Sequence, residues 1–335
     1  MKRRFVLGVG VAAALLAFLV SLVGSDTVFA ELADVDRPLL AAGLLSGALA
    51  LTFRGLVWVQ LLTLVDDSLR RRQVGTLFLT AMFIKYVTPY GQVATEPLVA
   101  YLVTQEGELA YEDGLASVLA ADVLNYLPYY SFGFLGVASI VAGGTIATAF
   151  VSRIVIFGIA FLFVIATLVL VLWRREVVYW VVLGAVATLR RATSRVTDRF
   201  NALFCPDAVH GRLDGFYETI DAIGASRRTL AAAVVSAHLG MAFLMLPVYV
   251  GASALGYHLP LGVVAIAVAV GKLGSVVPAP GGTGGVEAIV TASLATLGQL
   301  EVAAALSIAL LYRLCTYWLT VGVGGVCVFS VLVRN

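Results

Sequence analysis

Residues 276–290 read VVPAPGGTGGVEAIV, and they interrupt an otherwise continuous apolar stretch with two prolines, four glycines and one glutamate. Proline removes a backbone donor and clashes with the preceding turn, while glycine admits the positive φ values that a tight reversal needs. The surrounding run, residues 261–298, is as apolar as a transmembrane helix and so reads as a helix broken in its middle. At membrane depth, irregular backbone is tolerated only where it is buried in protein or lines a wet cavity, so the break itself marks an interior site.

The rest of the chain supplies the membrane. Of its 335 residues 61% are hydrophobic and 13% charged, and several apolar runs exceed the roughly 18 residues that mark a spanning helix. No ten-residue alternation of a β-barrel occurs. Spans are expected at 5–24, 38–65, 114–142, 148–173, 229–256 and 302–333. The apolar run at 5–24 is longer than a signal-peptide core, which favours a retained first helix. A second broken segment, residues 74–104, contains KYVTPYGQVATEP. The fold class is therefore an all-α polytopic membrane protein, about six full spans plus two broken re-entrant hairpins.

Charge placement sets the topology. Lys2, Arg3 and Arg4 place the N-terminus in the cytoplasm, the loop holding Asp26, Glu31, Asp34 and Asp36 outside, and DDSLRRRQ at 66–73 inside again. The Arg-rich stretch 174–228 stays inside only if 74–104 enters and returns. The segment 261–298 then enters from outside, and the C-terminus ends in the cytoplasm. One integral membrane domain spans 1–335: a first half, 1–173, with hairpin 74–104; a basic cytoplasmic or interfacial region, 174–228; and a second half, 229–335, with hairpin 261–298. Residues 176–204 begin apolar and become basic, consistent equally with a helix on the inner surface and with a solvated linker.

The two breaks match each other. PYGQVATE (89–96) and PGGTGGVE (280–287) share Pro-x-Gly-x-x-x-x-Glu, and units of opposite orientation with a broken helix each form the inverted repeat of many secondary transporters. Half-helix N-termini and glycine-rich turns present amides that favour an anion, phosphate above all. Gly281, Gly282, Gly284 and Gly285 in the second break, and Pro89 and Gly91 in the first, are the candidate turn residues; Thr95 is a candidate N-cap. Arg54, Lys85, Lys272 and Arg313 are the intramembrane cations able to meet a phosphate, with snorkelling to an interface as the rival reading for Lys85 and Arg54. Glu96 and Glu287 either cap and pair locally or carry a proton or cation. Asp122 and Arg153 are positioned to pair with one another, and His238 reads as a packed helix residue.

PAPGGTGGVE, TPYGQVATEPLVAYLV and LLYRLCTYW resemble the lysylphosphatidylglycerol synthase transmembrane, or flippase-like, membrane protein family over nearly the whole chain. Tyr90 and Thr95 stand where that family commonly has glycine. The resemblance implies movement of lipid between leaflets of a prokaryotic cell membrane. With no soluble aminoacyl-transfer domain before Asn335, it does not imply synthesis of lysyl-lipid. No catalytic residue, metal or cofactor is expected: Cys205, Cys315 and Cys327 lack CxxC spacing, and no GxxxxGK[ST] loop occurs. Membrane lipids are the expected partners, with a separate biosynthetic enzyme docking at 174–228 as a further possibility and no nucleic acid. The rival enzyme class is a lipid-linked glycosyltransferase, for which Asp34 and Asp36 of the DVD at 34–36 would hold a cation.

Overall fold

The computed structural model describes residues 35–89, 91, 95–143, 174–193 and 206–334. The expected spans at 5–24 and 148–173, with Arg153, Asp34 and Cys205, lie outside the described residues. Those described are helical, with no strand among them. In chain order the helices are α1 (Arg37–Val65), α2 (Arg71–Val87), α3 (Glu96–Glu106), α4 (Tyr111–Ala142), α5 (Arg175–Thr193), α6 (Pro206–Ala225), α7 (Arg227–Ala254), α8 (Leu261–Gly271), α9 (Gly285–Leu297), α10 (Val302–Arg313) and α11 (Leu319–Arg334). Among the described residues three stretches are long and apolar enough to cross a membrane: Arg37–Val65, Arg227–Ala254 and Val302–Phe329.

The frame is the pair α1 and α7, which pack along each other. Asp36 starts α1 by accepting the Leu39 amide at 3.1 Å, with Pro38 in the first turn. Pro247 inside α7 leaves the Phe243 carbonyl without its helical donor, and Ser46 of α1 donates to that oxygen at 2.7 Å. In a solvent without water, such a carbonyl must be satisfied by a neighbouring helix, and here it joins the two.

Each broken segment hangs from one end of this pair. The first begins after Val65 and ends at Glu106, and its two ends meet: Asp66 accepts the Glu108 amide at 3.0 Å and the Ser68 amide at 2.9 Å. Burial works to raise the Asp66 carboxyl, but the bonds from Ser68 and Glu108 outweigh it and hold it below the usual carboxylate range. The second begins at Leu261 and ends at Leu297, and Gly298 packs against Leu259. Because Asp36 donates its amide to the Ala254 carbonyl at 3.5 Å, this second base lies at the Asp36 end of α1, opposite to the first. The bases of the two broken segments therefore lie at opposite ends of α1. Inside, the turn at 280–282 packs against α2 and the Tyr86 and Tyr317 rings meet at 5.5 Å.

α4 runs beside both hairpins, packing on α3 and on α8, and α2 packs on α11. Within 174–228 the described residues form α5, α6 and the start of α7, of which α6 was not anticipated as a separate element. Arg175 at the start of α5 makes two bonds to Asp221 of α6, at 2.6 and 3.0 Å. Thr219 of α6 donates to Asp113 of α4 at 2.7 Å, which places α6 at the same end as Asp66. Val177, Trp180 and Val181 of α5 face outward.

Candidate functional site

The second break is built around one ion pair. α8 tightens into a 3-10 turn at Lys272–Val276, the chain reverses through Pro280–Gly282, and α9 restarts at Gly285. Gly281, Gly282 and Gly284 have φ of 59°, 65° and 86°, a region closed to most side chains. Gly274 and Gly285 cross so closely that a Cβ on Gly274 would stand 2.3 Å from the Gly285 carbonyl carbon. Glu287, in the first turn of α9, accepts the Gly284 amide at 2.8 Å and the Arg313 Nε–H at 2.9 Å. Arg313 also donates to the Gly281 carbonyl at 3.0 Å and approaches the Thr283 hydroxyl at 3.4 Å. Glu287 is 2% exposed and Arg313 7%.

This geometry redirects two expectations. Amides of the break that were offered to an anion are used inside the loop: Gly282 donates to the Ala279 carbonyl and Gly284 to Glu287. Arg313 clamps the turn to α10, so much of its guanidinium is occupied by protein. A π-turn at Leu314–Trp318 follows directly and carries Tyr317 under Arg313, 4.2 Å from the guanidinium carbon to the ring.

The first break has its own ion cluster. α2 ends at Val87, Gly91 packs on the Lys85 carbonyl, and α3 restarts at Glu96 with Pro97 in its first turn. Thr95 occupies the N-cap position but donates its hydroxyl to the Gly91 carbonyl instead of accepting an α3 amide. Lys85 lies 2.8 Å from Glu96 and touches Asp122 of α4. It is 2% exposed, so the snorkelling reading fails: the side chain turns inward to two carboxylates. Asp122 also accepts the Trp58 indole N–H at 3.2 Å. Among the described residues its partners are thus Lys85 and Trp58; Arg153, the partner suggested by the sequence, lies outside them. His238 bonds Val234 and Ser131, as a packed helix residue does.

Between the two clusters is a cavity of about 40 Å³ lined by Arg54, Lys272 and Arg313 and by Tyr86, Tyr129 and Tyr312, among others. It has room for about three waters at 10–15 Å³ each. Lys272 lies 4.7 Å over the Tyr126 ring. Arg54 Nε is buried without a hydrogen-bond partner among the described residues. The three tyrosines and Trp58 escaped the sequence reading, because aromatic residues in apolar spans look like core; the Tyr126 and Tyr129 spacing on one face of α4 was the available signal. Of the DVD stretch, Asp36 serves as the cap of α1.

The chain belongs to the lysylphosphatidylglycerol synthase transmembrane-region family, whose sequence model matches residues 5–324. No curated protein matches it. The family and the apolar helices together make it a multi-pass membrane protein of a lipid-related family, for which membrane lipids are the natural partners.

Proposed function

With the chain placed in that family, we propose that it is a transporter-like protein that binds the phosphate of an anionic lipid between its two broken helices and moves that lipid between leaflets. The lipid class is a phospholipid or a polyprenyl-phosphate-linked glycan. One observation carries the reading: three basic side chains line a single interior cavity, and one of them, Arg54, has a buried Nε–H with no partner among the described residues. A buried guanidinium N–H is costly unless something accepts from it, and intramembrane charge is a mark of a substrate path. The cavity is too small for a whole headgroup, so entry requires the hairpins to part.

The meeting ends of each broken segment support two re-entrant hairpins dipping from opposite faces of the cell membrane, with both chain termini cytoplasmic. A groove of about 720 Å³ between α1, α2 and α11, mostly apolar but with Thr52, Gln60 and Thr63 of α1 and Arg71 and Arg72 of α2 among its lining, suits an amphiphile. We infer transport and not glycosyl transfer because basic side chains gather at an interior cavity, while Asp36 of the DVD stretch serves as the cap of α1. A separate biosynthetic enzyme would dock at α5 and α6.

The test is mass spectrometry of lipids that co-purify with the protein. Arg54→Gln is expected to lose a phosphate-bearing lipid by about 10- to 100-fold, the loss of one or two hydrogen bonds to a charged group. A folded Arg54→Gln variant that keeps the wild-type lipid complement would sink the proposal.

A further inference from the structure

At the first break two carboxylates, Glu96 and Asp122, meet one ammonium, that of Lys85. Lys85 meets Glu96 Oε1 and Asp122 Oδ2, while Trp58 satisfies Asp122 Oδ1. Glu96 Oε2 is buried with no hydrogen-bond partner among the described residues. An ionised oxygen shut away from water with no donor is costly, whereas the same oxygen as a protonated hydroxyl removes the surplus charge. The charged and titratable groups set against the pair come from three elements: Lys85 of α2 faces both carboxylates, and Tyr126 of α4 and Lys272 in the turn after α8 face Asp122. None of these is a carboxyl, and Glu287 is held by Arg313.

We propose that Glu96 and Asp122 form a proton-binding site, one proton shared by the pair beside Lys85, and that its occupancy is linked to occupancy of the Arg54–Lys272 cavity by an anion. Tyr86, the residue after Lys85, lines that cavity, and Asp122 stands one helical turn before Tyr126, on whose ring Lys272 rests. Taking up the proton removes one negative charge next to the cavity, so the anion binds more tightly. By reciprocity the bound anion holds the proton more tightly. A proton gradient would then bias which face releases the lipid. The linkage rests on the cavity reading above; the proton itself does not.

Infrared difference spectroscopy of the full chain in phosphatidylcholine nanodiscs tests both parts. Above about pH 6 surface carboxyls, with ordinary values near 4, are already ionised. The wild type is expected to show one protonated-carboxyl band that disappears as the pH rises to about 9, and Glu96→Gln and Asp122→Asn are each expected to abolish it, since the remaining carboxylate then pairs with Lys85 alone. Adding phosphatidylglycerol to the nanodisc, or inorganic phosphate to the buffer, is expected to raise the midpoint by about one pH unit, a tenfold coupling. A shift with the lipid only identifies a headgroup as the ligand; a shift with phosphate as well identifies the phosphate group alone, and either supports linkage. A wild type with no titrating band overturns the proton site whether or not the variants fold. So does a band that survives both substitutions. A midpoint unmoved by either anion overturns the coupling, while lipid loss in Arg54→Gln would still leave the transport reading standing.

Discussion

At the scale of single residues, the Glu287–Arg313 pair explains why a carboxylate sits at a helix break. Its two oxygens accept from the Gly284 amide and from Arg313, so the same side chain starts α9 and ties it to α10. Removing either partner strands a buried charge, which costs about 3–5 kcal/mol; removing both together avoids that penalty. Glu287→Gln and Arg313→Gln are therefore each expected to lower unfolding stability in detergent by about that amount, and the double variant by clearly less than the sum. Additive losses would mean that the two side chains act independently. Arg313→Lys is expected to recover only part of the loss, because an ammonium cannot reach Glu287, the Gly281 carbonyl and Thr283 together as the guanidinium fork does.

At the scale of elements, the second hairpin depends on backbone crossing as much as on polar contacts. Gly274, in the 3-10 turn, and Gly285, at the start of α9, leave no room for a methyl group. Gly274→Ala is expected to cost about 1–3 kcal/mol or more through overpacking, whereas Gly224→Ala in α6, with open space around the added carbon, is expected to be neutral or slightly stabilising. Comparable thermal unfolding shifts for the two would show that the crossing is not tight. The glycines and prolines of 276–290 made this break legible, and the repeated Pro-x-Gly-x-x-x-x-Glu located its counterpart. The partners of the charges were not legible. Lys85 and Asp122 are 37 residues apart, Glu287 and Arg313 26, and which cation meets which acid is decided by how α2, α4, α9 and α10 pack. The use of the loop amides was hidden for a similar reason: a glycine-rich turn that could cradle an anion can equally close on its own carbonyls and on Glu287.

At the scale of the whole molecule, the topology expected from charge along the chain can be set beside contacts between distant residues and tested directly. The positive-inside rule requires residues 74–104 to return so that the basic stretch 174–228 stays with the arginines at 70–72. The bond from Glu108 to Asp66 closes that hairpin, and the bond from Thr219 to Asp113 holds α6 at the same end. Single cysteines placed in a variant lacking Cys205, Cys315 and Cys327 make this measurable through an impermeant thiol reagent on intact and opened cells. Ser68→Cys and Gln105→Cys, both exposed and at the two ends of the first hairpin, are expected to react only after the cytoplasmic face is opened. His258→Cys and Gln299→Cys, at the ends of the second, are expected to react in intact cells. If positions 68 and 105 label from opposite sides, the first segment crosses instead of returning. The two breaks would then no longer face each other from opposite membranes faces around the Arg54–Lys272 cavity, and alternating access through paired hairpins would have no structural basis.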